Sequence, residues 1–177
     1  MIKFKQIDKT TYKDYKKELT VLYQKTFSQG ISAQYINKNE TEYFFDTVFE
    51  VGFGIYGCEN EQIVGFSLFT PLSFDNLMPK EINEKYSDKN SLYIAEVLVD
   101  EEFRGQKIAQ NLLKEFENSL NKDIKNLILR VFEENLPAIS MYEKIGFRKI
   151  SEIFQTKLKP DGKTEFLMKK IYMIKNL

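Results

Sequence analysis

The run VLVDEEFRGQKIAQNLLKEF, residues 97–116, passes from an apolar, β-branched stretch through an acidic turn to Arg104-Gly105, and an amphipathic run follows at once. A helix begun there leaves its first N–H groups without intrahelical acceptors, and these point with the helix dipole at whatever lies in front. Arg104 adds a cation, and Gly105 lets backbone approach a bound group closely. The segment is either a tight connection that happens to be basic or a cradle for an anion such as a phosphate. Just upstream, Glu96 interrupts the apolar strand YIAEVLV, on the Ile94 and Leu98 side if the strand is regular. A carboxylate among apolar neighbours has a raised pKa and an affinity for ammonium groups.

Composition narrows the chemistry. The 177 residues include no histidine, which removes Ser-His-Asp and Cys-His catalysis, His-metal sites and imidazole as a base. Proton transfer falls to carboxylates, tyrosines, lysines, the lone thiol or water. Cys58 is the only cysteine, so no intramolecular disulfide and no cysteine zinc cluster can form. On its expected strand it reads as a small buried apolar residue rather than a nucleophile. The 26 basic side chains balance 26 acidic ones, so no global field favours nucleic acid or an anionic membrane, and an anion site must be local. The opening MIKFKQIDKT lacks the apolar core of a signal peptide, and no apolar run reaches membrane-spanning length. A cytoplasmic location is the expectation.

The elements that must position these residues follow from periodicity. IKFKQI (2–7) alternates as a strand, and residues 12–27 carry Tyr15, Leu19, Leu22, Tyr23 and Phe27 at helical spacing, with Gly30 beyond. A second helix is expected over 40–49, and 53–72 reads as a hairpin around Glu59-Asn60-Glu61. Residues 73–90 read as a long loop with a helical turn around 81–86. A strand over 91–99 leads to a helix from near Arg104, with Ile108, Leu112, Leu113, Phe116 and Leu120 on one face. The apolar NLILRVF (126–132) suits the interior of a sheet. Asn135-Leu136-Pro137 opens a helix that Gly146 ends, and 147–154 and 164–173 are two further strands.

Two stretches together resemble the GNAT superfamily of N-acetyltransferases. Its acetyl-CoA-binding core carries an Arg/Gln-x-x-Gly-x-Gly/Ala cradle after a strand and Asn-x-x-Ala-x-x-x-Tyr-x-x-x-Gly-Phe on a later helix. Here the first is Arg104, Gly105, Gln106, Lys107, Ile108 and Ala109, and the second is Asn135, Ala138, Tyr142, Gly146 and Phe147. The resemblance is best over residues 60–155. It implies one α/β (α+β mixed) domain over 1–177, with a mixed, mostly antiparallel sheet of about seven strands flanked by about four helices.

The resemblance also implies an activity: transfer of the acetyl group of acetyl-CoA directly to a primary amine, with no metal. The 104–110 cradle, including Gln110, would hold the CoA pyrophosphate, and the backbone of Val97, Leu98 and Val99 would pair with pantetheine and polarise the thioester carbonyl. Asn135 would contact the cofactor as well as cap its helix, and Tyr142 would protonate the departing thiolate. Glu96, eight positions before Arg104, would accept the amine proton through water, with Glu133 and Glu134 next in line. Lys107 stands where the family usually has glycine, and a helical φ is expected to accommodate it. The expected acceptor is a small cationic amine, polyamine- or aminosugar-like, with Asp75, Glu81 and Glu84 offering matching charge. The alternatives are protein N-terminal or lysine acetylation, or a degenerate CoA-binding module. A monomer or homodimer is expected, with no nucleic-acid or membrane partner.

Overall fold

In the computed structural model, which describes residues 1–177, seven strands form one sheet in the order β1-β2-β3-β4-β5-β7-β6. β1 is Lys3–Ile7, β2 Phe53–Glu59, β3 Gln62–Pro71, β4 Ser91–Val99, β5 Asn126–Phe132, β6 Arg148–Leu158 and β7 Glu165–Asn176. Five α-helices accompany them: α1 Tyr12–Phe27, α2 Lys38–Val51, α3 Lys80–Lys85, α4 Ile108–Ser119 and α5 Leu136–Lys144. The fifth, relative to the expected four, is the six-residue α3, where a single helical turn was expected. Asn37 starts α2 two residues before the expected helix, because its side chain accepts the N–H groups of Asn39 and Glu40. The last two strands run longer than expected, since mutual pairing from Arg148–Ile174 to Leu158–Glu165 carries the hairpin beyond its apolar positions.

Side chains alternate between two cores. On one face α4 and α5 pack through Leu112, Leu113, Phe116 and Tyr142 onto Ile94, Leu129, Val131 and Met173. Phe69 and Phe116 stack there, with ring centroids 3.5 Å apart. On the other face α1 and α2 bury Leu19, Leu22, Phe45 and Phe49 over Tyr56, Phe66, Leu68 and Leu98. α3 extends this face, packing through Ile82 with Tyr93, Ile128 and Tyr172.

All strand pairs are antiparallel except β4 and β5, which are parallel and pair only from Ser91–Asn126 to Ile94–Leu129. Beyond Ile94 the two strands part. β5 continues against β7 to Phe132, and β4 continues against β3 to Val99. The sheet is therefore split at its centre, and residues 95–99 present an edge with no β5 partner.

Candidate active site

The split opens into a cleft of about 800 Å³ that reaches both faces of the sheet. Its lining includes Glu96, Val97, Leu98, Val99, Arg104, Gly105, Lys107, Ile108, Ala109, Gln110, Asn135 and Tyr142, all but one of the residues given a cofactor-binding or leading catalytic role from the sequence. The exception is Gln106, whose exposed side chain lies outside that lining.

The cradle is built by backbone conformation. Gly105 has φ +79°, and a Cβ there would meet nothing within 4 Å, so open space lies in front of the turn. The N–H groups of residues 105–110 find no acceptor within the protein; the first donor of α4 to do so is Asn111, bonded to the Lys107 carbonyl at 2.9 Å. Six consecutive free donors, with Arg104 and Lys107 beside them, fit a pyrophosphate. Lys107 corrects the expectation of a helical φ: it sits at φ 60°, ψ 19°, in the left-handed region, and acts as N-cap of α4. Gly105, two residues earlier, is also left-handed, so the turn uses two such residues before α4 starts, four residues later than Arg104. The buried Asp100 carboxylate fixes the approach, accepting both the Lys25 ammonium of α1 at 2.9 Å and the Glu102 N–H.

Glu96 also differs from a regular strand. Leu68 pairs with Glu96 and Phe69 with Ile94, so Ala95 is bulged out of the β3–β4 register. The bulge reverses the alternation. Ile94 faces the α4–α5 core, whereas Glu96 shares the face of Leu68 and Leu98, under α1 and α2. Its Oε1 accepts the Val97 N–H, which has no β5 partner, at 3.2 Å. Loss of hydration raises the Glu96 pKa to about 7, against the opposing fields of Lys170, Arg130 and Lys157.

Tyr142, only 7% exposed, reaches the cleft from α5. Burial, with the Glu96 charge, raises its pKa well above the usual phenol value, so it stays protonated. Tyr23 of α1 lines the opposite wall, and its phenol is raised by the same two causes. Asn135 caps α5 by accepting the Ala138 N–H at 3.3 Å, as its type predicts.

Other candidates lie elsewhere. Glu133 pairs with Lys169 at 3.1 Å and Glu134 is exposed, and neither lines the cleft. Asp75 is buried against Arg130 (3.2 Å) and the Tyr172 hydroxyl (2.8 Å), Glu81 accepts the Ser151 hydroxyl, and Glu84 pairs with Lys80. None of the loop acids lines the cleft. Cys58 is half-buried on β2. The sequence reading missed Tyr23, Lys157 and Lys170. Only strand alternation could have flagged the lysines, and in an exposed hairpin it does not separate a cleft-facing lysine from a solvated one.

A profile of the Acetyltransferase (GNAT) family matches residues 14–147. Among curated proteins, N-alpha-acetyltransferase 30 of Dictyostelium discoideum is 36% identical over 64 residues, 36% of this chain and 35% of its own length. Arabidopsis thaliana NAA60, solved in complex with a bisubstrate analogue, superposes with a TM-score of 0.72 at 18% identity, covering 99% of this chain and 98% of its own. The ribosomal-protein-S18-alanine N-acetyltransferase from Escherichia coli gives 0.68 at 16% identity, covering 99% and 94%. Salmonella typhimurium yncA with its cofactor acetyl-CoA gives 0.69 at 12%, again covering 99% and 94%. At these identities the solved structures speak to the fold. With a split sheet, a donor-rich cradle and a family profile spanning most of its length, the chain belongs to the GNAT acetyltransferase family.

Proposed function

We propose that the protein is an acetyl-CoA-dependent N-acetyltransferase whose acceptor is the terminal α-amine of a polypeptide. The observation that carries the transfer reading is Glu96, the only carboxylate lining the cleft, at the point where β4 leaves β5. The α-amine reading is supported by the likeness to an N-alpha-acetyltransferase and by the absence of the loop acids from the cleft, which leaves a polyamine no carboxylate beyond Glu96.

The free N–H groups of 105–110, with Arg104 and Lys107, would hold the pyrophosphate, and the unpaired β4 edge over 95–99 would align the pantetheine arm. Acetyl-CoA, when bound, supplies an activated acetyl thioester. Glu96 takes a proton from the incoming ammonium, directly or through one water, leaving a neutral nitrogen lone pair. A raised carboxylate pKa makes this transfer less uphill than to an ordinary glutamate, and an α-ammonium, with a pKa of about 8, gives up its proton more readily than an alkylammonium near 10. Tyr142, held protonated, supplies a proton to the departing thiolate.

The test is an assay following both thiol release and peptide mass. One peptide has a free N-terminus and no lysine; its partner has a blocked N-terminus and one lysine. The free-N-terminus peptide is expected to gain one acetyl group per thiol released. Tyr142→Phe should lower kcat by about 10²-fold with little change in acetyl-CoA affinity. Acetylation of the lysine peptide alone would transfer the proposal to side-chain amines, and thiol release without a mass change would reject transfer.

A further inference from the structure

The cleft as a whole is one-sided in its charge. Its lining holds five cationic side chains, Arg104, Lys107, Arg130, Lys157 and Lys170, against one carboxylate, Glu96. Arg104 and Lys107 belong to the cradle before α4. The other three share the opposite face of the sheet with Glu96. Arg130 pairs with Tyr172 across β5–β7, Ile153 with Lys170 across β6–β7, and Ile153 and Lys157 lie on the same side of β6 by alternation.

Arg130 is neutralised where it stands, by Asp75 and the Tyr172 hydroxyl. Lys157 and Lys170 are not: both are half-buried and neither makes an ion pair or a side-chain hydrogen bond. Besides Glu96, the acid acting most on Lys157 is Glu40 of α2, and on Lys170 the already paired Asp75. Two ammonium groups are thus held partly out of water with no direct ion-pair partner and with Glu96 as the acid they share, which costs free energy in the free protein. Burial, then repulsion from Arg130, lowers both pKa values, and Lys157 adds to the repulsion at Lys170, which falls to about 8. Register places the two lysines four residues apart along the hairpin, about 13 Å of strand, so their long side chains can converge on a group between them. A bound anion would supply the missing charge. A second cation would add to the repulsion.

We propose that Lys157 and Lys170 form a subsite for a carboxylate carried by the acceptor itself, so that the preferred substrate is a polypeptide with Asp or Glu at its first or second position. The proposal rests on the reading that an α-amine is acetylated in this cleft. Glu96 would receive the ammonium while the two lysines receive the acid, a charge pattern that fixes the acceptor's orientation.

The experiment compares pentapeptides beginning Asp-Glu, Ala-Gln and Lys-Arg, with identical last three residues, and free L-aspartate. Wild-type protein should favour the Asp-Glu peptide over the Lys-Arg peptide in kcat/KM by about tenfold or more. Lys157→Gln/Lys170→Gln should raise KM for the Asp-Glu peptide relative to the Ala-Gln peptide, removing the preference while acetyl-CoA affinity persists. Because both lysines hold the Glu96 pKa down, their loss slows every peptide alike at neutral pH, and the readout is the ratio between peptides. Neither change breaks an ion pair, so the variant should fold, and the single variants should each give part of the effect. Turnover of L-aspartate matching the Asp-Glu peptide would keep the carboxylate subsite and assign it to free amino acids. Equal rates for the three peptides, a Lys-Arg preference, or an acidic preference that survives the double substitution would overturn the proposal. If no amine is acetylated, the transfer reading fails, and calorimetry with the N-acetylated Asp-Glu peptide and CoA decides the subsite separately. Binding lost in the double variant supports it; no binding by wild type rejects it.

Discussion

Lys107 holds a backbone conformation that costs an L-residue with a Cβ about 1 kcal/mol or more, and it does so at the entrance to α4. The position serves the cradle, since left-handed Gly105 and Lys107 lie in a run of six N–H groups that have no acceptor in the protein. Lys107→Gly should relieve that cost, offset in part by the greater freedom of glycine in the unfolded chain. The expected outcome is a melting temperature about 2 °C higher for the free protein, by scanning calorimetry. Affinity for acetyl-CoA should stay the same or weaken with loss of the charge. A lower melting temperature would show that the lysine side chain contributes more than its backbone conformation costs.

At the scale of elements, β5 and β7 are tied to the segment before α3 by one buried cluster. Asp75 accepts from Arg130 at 3.2 Å and from the Tyr172 hydroxyl at 2.8 Å, and Arg130 lies over the Tyr172 ring. Asp75→Asn leaves the guanidinium partly buried without its carboxylate and should cost about 3 kcal/mol in urea unfolding with an unchanged m-value. An unaffected midpoint would mean that Arg130 finds water or another acceptor. Neither this cluster nor its consequence for the acceptor site is visible in the sequence, because Asp75 and Arg130 are 55 residues apart and meet only once the sheet has formed. The strands and long helices, by contrast, are legible: apolar spacing and the Asn135 and Gly146 signals bound them closely. The bulge at Ala95 is not, since it depends on the register of β3 against β4, and it alone decides which face Glu96 joins. The cradle was legible as a motif, whereas the left-handed φ of Lys107 was hidden behind an ordinary helix-forming residue type.

For the molecule as a whole, a chain with no net charge concentrates cations in one cleft. The split between β4 and β5 joins two halves of that cleft: the cradle on the α4–α5 side and the half under α1 and α2, which we propose takes the acceptor. Glu96 stands at the junction, where we propose that it accepts the amine proton. Its pKa is raised to about 7, so below that pH the carboxyl is protonated and idle, and as pH rises through it the base becomes available. The direct test is the pH profile of kcat/KM for wild type and Glu96→Gln on a peptide α-amine. Wild-type activity should rise through about pH 7, and the variant should be about 10²–10⁴-fold slower at neutral pH. The gap should narrow above pH 8 or so, where the amine arrives already neutral. Superimposable profiles at neutral pH would place the proton acceptor elsewhere.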